Sequence, residues 1–450
     1  VSCLPTRTGS RLLHNNTSDP TQTMISKHVF IFLISFISIA SSEKIRFDNY
    51  TLYKVLPDKD EHYKILQNVH DNDLRYDFWN SPAPLMDFVS IIVSFLDFST
   101  LLTWCKYRKI MYDLYTFRAM DKEKVVNYNR NSNRNMQWNV YYNLDDIYAW
   151  LDDLARAYPN IVSIISAGTS YEGRDIKGIR ISHGSGRKVV FVESGIHARE
   201  WITVTATCYI INELLTNSDA ETRAAARDYE WHIFPVTNPD GYVCFACGGK
   251  TDSLVFLNQY VLQNVLAGAS TNPAAITYAG PGPFSEPETR SLSAYIRALG
   301  SRIDLYLSMH SFSQLLLVPF GNSTAPYANY ADVNIGRRAM GALSVRYGTQ
   351  YTTGNIAEAI YSATGGSIDW VKDHVNVPLV YCYELRDRGQ YGFLIPEEQI
   401  LPNNQEVMDS LLELIHQTSF YKNSIKHLSQ MYQSSNKTYT KLCALYIFYF

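Results

Sequence analysis

From Asn139 onward, apolar positions follow two alternating rhythms. Leu144 to Tyr158 sets Ile147, Leu151 and Leu154 on one face at helical spacing, so a helix is expected there. Ile161 to Ser166 and Asp175 to Ser182 alternate apolar and polar residues as half-buried strands do, whereas Lys188-Val-Val-Phe-Val is the unbroken apolar run of a strand covered on both faces. A helix over Val204 to Leu215, a strand at Trp231 to Val236, a helix over Glu286 to Leu299 and strands at Ile303 to Ser308 and Val377 to Glu384 continue the alternation. Helices interleaved with apolar strands predict an α/β fold, with a mixed, mostly parallel central sheet and helices on both faces.

The pattern is weaker upstream. Leu52-Tyr-Lys-Val-Leu reads as a strand and His62 to Val69 as a short amphipathic helix, the start of a small α+β unit over 43–130. Residues 89–116 show neither period and are expected to interrupt that unit. Residues 127–135 hold five Asn together with Arg130 and Arg134, the texture of a polar linker with two basic cleavage points.

Near the start, Met24-Ile-Ser-Lys-His leads into an apolar run from Val29 to Ile39 and then Ala40-Ser41-Ser42. Basic, apolar and small residues in that order predict a signal peptide over 24–42, and hence a secreted, extracellular protein. The run is about half the roughly 20 residues that a membrane-crossing helix needs. Residues 1–23 do not fit a signal peptide, and we expect them not to belong to the natural product. The apolar stretch 88–104 encloses Asp97, so no membrane partner is expected. No role is assigned to a tail over 419–450.

Composition narrows the class without naming a partner. The 450 residues carry 43 acidic and 40 basic side chains, too balanced for a nucleic-acid binder, and 13% aromatics, too many for a disordered chain. A monomer is the default expectation. Of seven cysteines, Cys244 and Cys247 form the one close pair, and no second pair completes a zinc knuckle.

The chemistry-bearing residues gather at strand ends. After Lys188-Val-Val-Phe-Val comes Ser194-Gly-Ile-His197-Ala-Arg-Glu200-Trp, in which an imidazole and a carboxylate three residues apart point to one side if the turn begins a helix. Catalytic zinc takes three protein ligands and leaves a position open, so a distant third is needed. His310, closing the strand that begins at Ile303, occupies the same topological place; its plainer reading is a satisfied strand-end histidine. Glu384 ends a third strand and suits a base, the alternative being an ion pair with Arg386. Two His and a Glu on zinc, plus a free Glu, make an inventory for metal-assisted peptide hydrolysis.

Six blocks in order extend this reading: Gly195-Ile-His-Ala-Arg-Glu-Trp-Ile, Pro235-Val-Thr-Asn-Pro-Asp-Gly-Tyr, Tyr278 to Arg290, Met309-His-Ser-Phe-Ser-Gln-Leu-Leu-Leu, Ala363-Thr-Gly-Gly-Ser-Ile-Asp-Trp and Glu384 to Phe393. With them the chain resembles the zinc metallocarboxypeptidases of the pancreatic and digestive A/B family, over most of 136–418 and part of 43–130. The resemblance implies a zinc carboxypeptidase domain over 136–418 preceded by a propeptide at 43–130. It implies one Zn2+ held by His197, Glu200 and His310, with Glu384 as the general base. Arg199 would hold the oxyanion or the substrate, and Tyr361 would close over the terminal carboxylate of the peptide. Ile368 would sit at the base of the side-chain pocket. An apolar group there cannot pair with a buried cation, which favours aliphatic or aromatic C-terminal residues. The implied partners are peptide or protein C-termini and an activating trypsin-like protease.

The chain departs from the family between Tyr242 and Gly268. The family has Arg residues there that hold the oxyanion and the substrate carboxylate, and an Asp that supports the first zinc histidine. This stretch is shorter and contains no Arg. Bidentate Arg recognition is not replaced by Lys or Gln, and losing one oxyanion donor costs roughly 10²–10³ in rate. Impaired turnover is therefore expected. Phe312, where the family usually has Tyr, removes one hydroxyl. The alternative to an exopeptidase made as a zymogen is a non-catalytic relative that binds zinc and peptides.

Overall fold

The computed structural model describes residues 50–57, 59–72, 76–78, 89–94, 111–115, 136–246, 280–321, 330–360 and 363–434, all within the unit Arg46–Phe450. The expected signal peptide, the segment 1–23, the linker at 127–135 and residues 435–450 lie outside them. Among the described residues no helix is long and apolar enough to cross a membrane.

The first sheet is small and antiparallel. It comprises β1 (Tyr50–Leu56), β2 (Asp77–Phe78), β3 (Val89–Ser94) and β4 (Met111–Tyr115), in the order β2-β3-β1-β4, with α1 (Asp60–Asn72) between the first two strands. Leu66 of α1 is buried with Tyr53, Val55, Phe78, Val89 and Ile91, which gives the unit a core of its own. The expected interruption at 89–116 is corrected: 89–94 and 111–115 supply two of its four strands. Alternation was hidden because Ile92 and Val93 follow Ile91, so both faces of β3 read as apolar.

The second sheet has eight strands. It begins with α2 (Leu144–Ala157), β5 (Val162–Thr169), β6 (Asp175–Ile181), β7 (Val189–Ser194), α3 (Trp201–Thr216), α4 (Ala220–Asp228), β8 (Glu230–Phe234) and α5 (Pro239–Ala246). It continues with α6 (Pro287–Leu299), β9 (Ile303–Ser311), β10 (Leu315–Val318), α7 (Tyr330–Tyr347), β11 (Thr352–Asn355), α8 (Ile356–Ala359), α9 (Ser367–Trp370), β12 (Leu379–Leu385) and α10 (Glu397–Ser434). The strand order is β11-β10-β12-β9-β7-β8-β6-β5. The central strands β12, β9, β7 and β8 run parallel, and antiparallel steps join them to β10 on one side and β6 on the other. Every residue of β7 and β8 is buried, as strands covered on both faces must be.

Local sequence explains the helix ends. The Asn143 side chain accepts from the backbone N–H of Asp146 and so starts α2, which buries Ile147, Trp150, Leu151 and Leu154. Helix α10 runs past residue 418, where a tail was expected to begin.

Candidate metal centre

Strands β7, β9 and β12 are parallel neighbours, so their C-terminal ends reach one edge of the sheet. His310 and Glu384 are register partners across β9 and β12. From β7 the chain turns at Gly195, whose φ is +65°, and a Cβ there would lie 3.1 Å from both the Pro235 carbonyl oxygen and Val204 Cγ2. Glycine meets both demands. The turn is held by the block after β8. The backbone N–H groups of Thr237 and Asn238 donate to the carbonyls of Ser194 and Gly195, and Asn238 Nδ2 donates to the carbonyl of Ile196. Helix α3 then starts at Trp201, immediately after Glu200, and the Trp201 ring stacks on Tyr242.

These constraints bring His197, Glu200 and His310 together, with one donor atom from each lying within 4.8 Å of the others. His197 Nδ1 is 2.8 Å from Glu200 Oε1, His310 Nδ1 is 3.2 Å from Glu200 Oε2, and the two Nδ1 atoms are 3.2 Å apart. Ligands about 2.0–2.1 Å from a tetrahedral ion lie roughly 3.3 Å from one another, so this spacing suits zinc. The donor chemistry suits it as well: two imidazoles and one carboxylate leave a fourth position for water.

Electrostatics at the cluster are strongly perturbed. Burial pushes the Glu200 carboxyl up, but His197 and His310 outweigh it and hold it at about 2. Burial lowers His310, and the Glu200 carboxylate more than restores it, for a net rise. Glu384 goes the other way. Burial, reinforced by the Glu200 carboxylate, pushes it up to about 8 against the pull of His310. Two carboxyls with such different environments suit different roles, one as a charged ligand and one as a proton acceptor.

The alternative reading of Glu384 as the partner of Arg386 is not what the structure builds. Arg386 Nε donates to Glu406 Oε1 at 2.7 Å, and its Nη2 bonds Thr349 and Glu406. Arg199 lies over the Phe393 ring at 4.2 Å, and its Nη1 donates to the Phe78 carbonyl of β2 at 3.4 Å, so it meets the N-terminal sheet. Phe312 packs edge-on against the same Phe393 ring. Ile368 is buried in the core layer that also holds Trp370 and Cys382, and the next residue, Asp369, accepts from the backbone N–H of Gly321. Tyr361 and the stretch 247–279, which includes Cys247 and most of the Arg-free segment, lie outside the described residues.

Some contributors escaped the sequence reading. Asn238 and Asp240 lie in the block Pro235 to Tyr242, where the sequence alone points to no task for either. Asp240 accepts from the Ser170 hydroxyl, the Glu172 N–H and Arg174, so it ties the loop after β5 to the site's supporting turn. Glu193 and Ser308 are buried polar residues inside apolar strands, and that contrast was the signal that could have found them.

Comparison with known proteins agrees with this geometry. The family model for zinc carboxypeptidase matches residues 147–410, and the one for carboxypeptidase activation peptide matches residues 53–116, across the stretch that patterning alone read as an interruption. Zinc carboxypeptidase A 1 of Anopheles gambiae is 36% identical over 405 residues, covering 85% of this chain and 93% of its own. A zinc carboxypeptidase of Simulium vittatum is 43% identical over 297 residues, covering 62% and 96%. Among solved structures, carboxypeptidase A from Helicoverpa armigera matches with a TM-score of 0.72 at 26% identity, covering 83% of this chain and 98% of its own.

Proposed function

Because the chain belongs to the zinc carboxypeptidase family and carries that family's activation peptide, we propose that it is a secreted zymogen whose mature form removes aliphatic or aromatic residues from peptide C-termini. In this reading His197, Glu200 and His310 hold the zinc, and Glu384 is the general base. The observation that carries it is the convergence of those three donors within 4.8 Å, with Glu384 in register beside His310.

Bound zinc supplies Lewis acidity, polarising the scissile carbonyl and lowering the pKa of water toward neutrality. Glu384 takes a proton from the attacking water and returns it to the leaving amine. Arg199 holds a substrate carbonyl or the developing oxyanion, Tyr361 covers the terminal carboxylate, and Ile368 lines the side-chain pocket. An apolar lining disfavours Lys and Arg side chains.

The division we propose is a signal peptide at 24–42, a propeptide at 43–130, a catalytic domain at 136–418 and a C-terminal extension beyond it. Cutting at Arg130 or Arg134 by a trypsin-like protease would release the catalytic part. Residues 243–289 contain no Arg. Turnover is therefore expected to be impaired relative to a chain with bidentate carboxylate recognition. The same observation favours a second reading, a zinc- and peptide-binding relative without catalysis.

The test is to treat the full chain with trypsin, measure zinc per chain, and assay a blocked dipeptide ending in Phe beside one ending in Arg. One zinc per chain and faster release of Phe is the expected result. Bound zinc with neither substrate cut supports the second reading, and no zinc at all overturns both.

A further inference from the structure

Strand β9 carries Tyr306, Ser308 and His310 at alternate positions, so all three side chains face one side of the sheet. Glu193 of β7 is the register partner of Ser308 on that side. It is a carboxylate 1% exposed, in the same layer as Phe191 and Tyr306, and Ser308 is fully buried. A charge in so apolar a place is costly unless its hydrogen bonds are made. Two hydroxyls reach one of its oxygens, Tyr306 Oη at 3.2 Å and Ser308 Oγ at 2.5 Å from Oε1, while the buried Oε2 has no hydrogen-bond partner. Ser308 Oγ also lies 3.0 Å from His310 Nε2.

The geometry orders the protons once Glu193 is taken as a carboxylate. It then only accepts, and the Ser308 hydroxyl gives its single hydrogen to Glu193. The Ser308 oxygen then has only lone pairs left for His310, and the bond at 3.0 Å requires a hydrogen on Nε2. A neutral imidazole with Nε2–H has a bare Nδ1, and Nδ1 is the atom 3.2 Å from both Glu200 Oε2 and His197 Nδ1. We propose that Glu193, acting through the Ser308 hydroxyl, is a positioning residue that holds His310 as the Nε2–H tautomer and aims its Nδ1 lone pair at the metal. Outer-shell carboxylates commonly orient metal-binding histidines in this way. The inference rests on the zinc reading of His197, Glu200 and His310.

The experiment uses the full chain, with zinc affinity read by competition against a chelator and the His310 tautomer read by 15N NMR of the metal-free protein at alkaline pH, where the imidazole is neutral. Ser308→Ala and Glu193→Gln are each expected to weaken zinc binding by roughly 10–100-fold. The double variant should bind about as weakly as either single one, because both changes break one chain of bonds. Metal-free parent protein should show Nε2–H, and Ser308→Ala should lose that preference. Zinc affinity unchanged in both variants, with only the thermal midpoint shifted, overturns the proposal, and so does an Nδ1–H tautomer in the parent. If the variants do not fold, the parent tautomer still decides. A parent that binds no zinc at all sinks the metal reading, and the tautomer then judges the relay separately.

Discussion

Replacing Glu384 with Gln keeps the volume of the side chain and removes its capacity to take a proton. In Glu384→Gln, zinc content should be unchanged while kcat on the Phe-ending dipeptide falls by roughly 10²–10⁴, the usual worth of a positioned general base. Loss of zinc from this variant would instead make Glu384 a ligand. His310 and Glu384 were legible in the sequence because each closes an apolar strand run, and His197 and Glu200 because their three-residue spacing follows another such run. Glu193 and Ser308 were not. A buried Glu one residue from a strand end differs from a surface one only in what packs around it, and the register that joins it to Ser308 is a property of two strands more than a hundred residues apart.

At the scale of elements, the turn between β7 and α3 is the most constrained piece of backbone near the site. Gly195→Ala adds a Cβ at positive φ against the Pro235 carbonyl. A cost of about 1–3 kcal/mol is expected, read as a lower urea midpoint, with weaker zinc binding because His197 and Glu200 both follow the turn. A midpoint equal to that of the parent would show that the turn has slack. Strand β8 offers a pH test. Burial pushes Glu230 up, but hydrogen bonds from Arg180, His232 and Arg302 overcome it, and its carboxyl sits well below the usual range. A depressed folded pKa contributes stability that is fully present above the unfolded value, about 4.3, and is lost as pH falls through that value toward the folded one. Glu230→Gln should therefore be less stable than the parent at pH 7, and the gap should narrow with acidification below about pH 5. A gap that stays constant from pH 7 to 3 would remove Glu230 from the acid response. The strands and helices seen in advance were those with clean periods. Helix α10 was not among them, since it contains Pro402 and buries Asn403, Asn404 and Glu406 on its packed face. Glu406 is bonded to Arg386 and Asn404 to Thr205, so the turn after Pro402 reads as polar although Ile400, Val407, Met408, Leu411, Leu414 and Ile415 are buried along the same helix.

For the molecule as a whole, the contact between Arg199 and Phe78 links the small antiparallel sheet to the proposed site. Arg199 Nη1 donates to a backbone carbonyl of β2, so a chain segment of the activation peptide already occupies the group proposed to hold a substrate carbonyl. At 3.4 Å the bond is longer than the usual range of about 2.7–3.2 Å, so freeing Arg199 should raise kcat/KM by less than the roughly tenfold that a full charged hydrogen bond of about 1.5 kcal/mol would give. Because the acceptor is main chain, no side-chain change at Phe78 removes it, and separation of the two parts is the cleaner test. Trypsin treatment of the full chain, with the cut verified in residues 116–135, should raise hydrolysis of the Phe-ending dipeptide. Arg199→Ala should start lower and gain less on cutting, since part of the gain in the parent comes from that side chain. Equal rates before and after a verified cut would mean that the N-terminal sheet does not limit access, and an equal gain in Arg199→Ala would move the blockade to other contacts of the activation peptide.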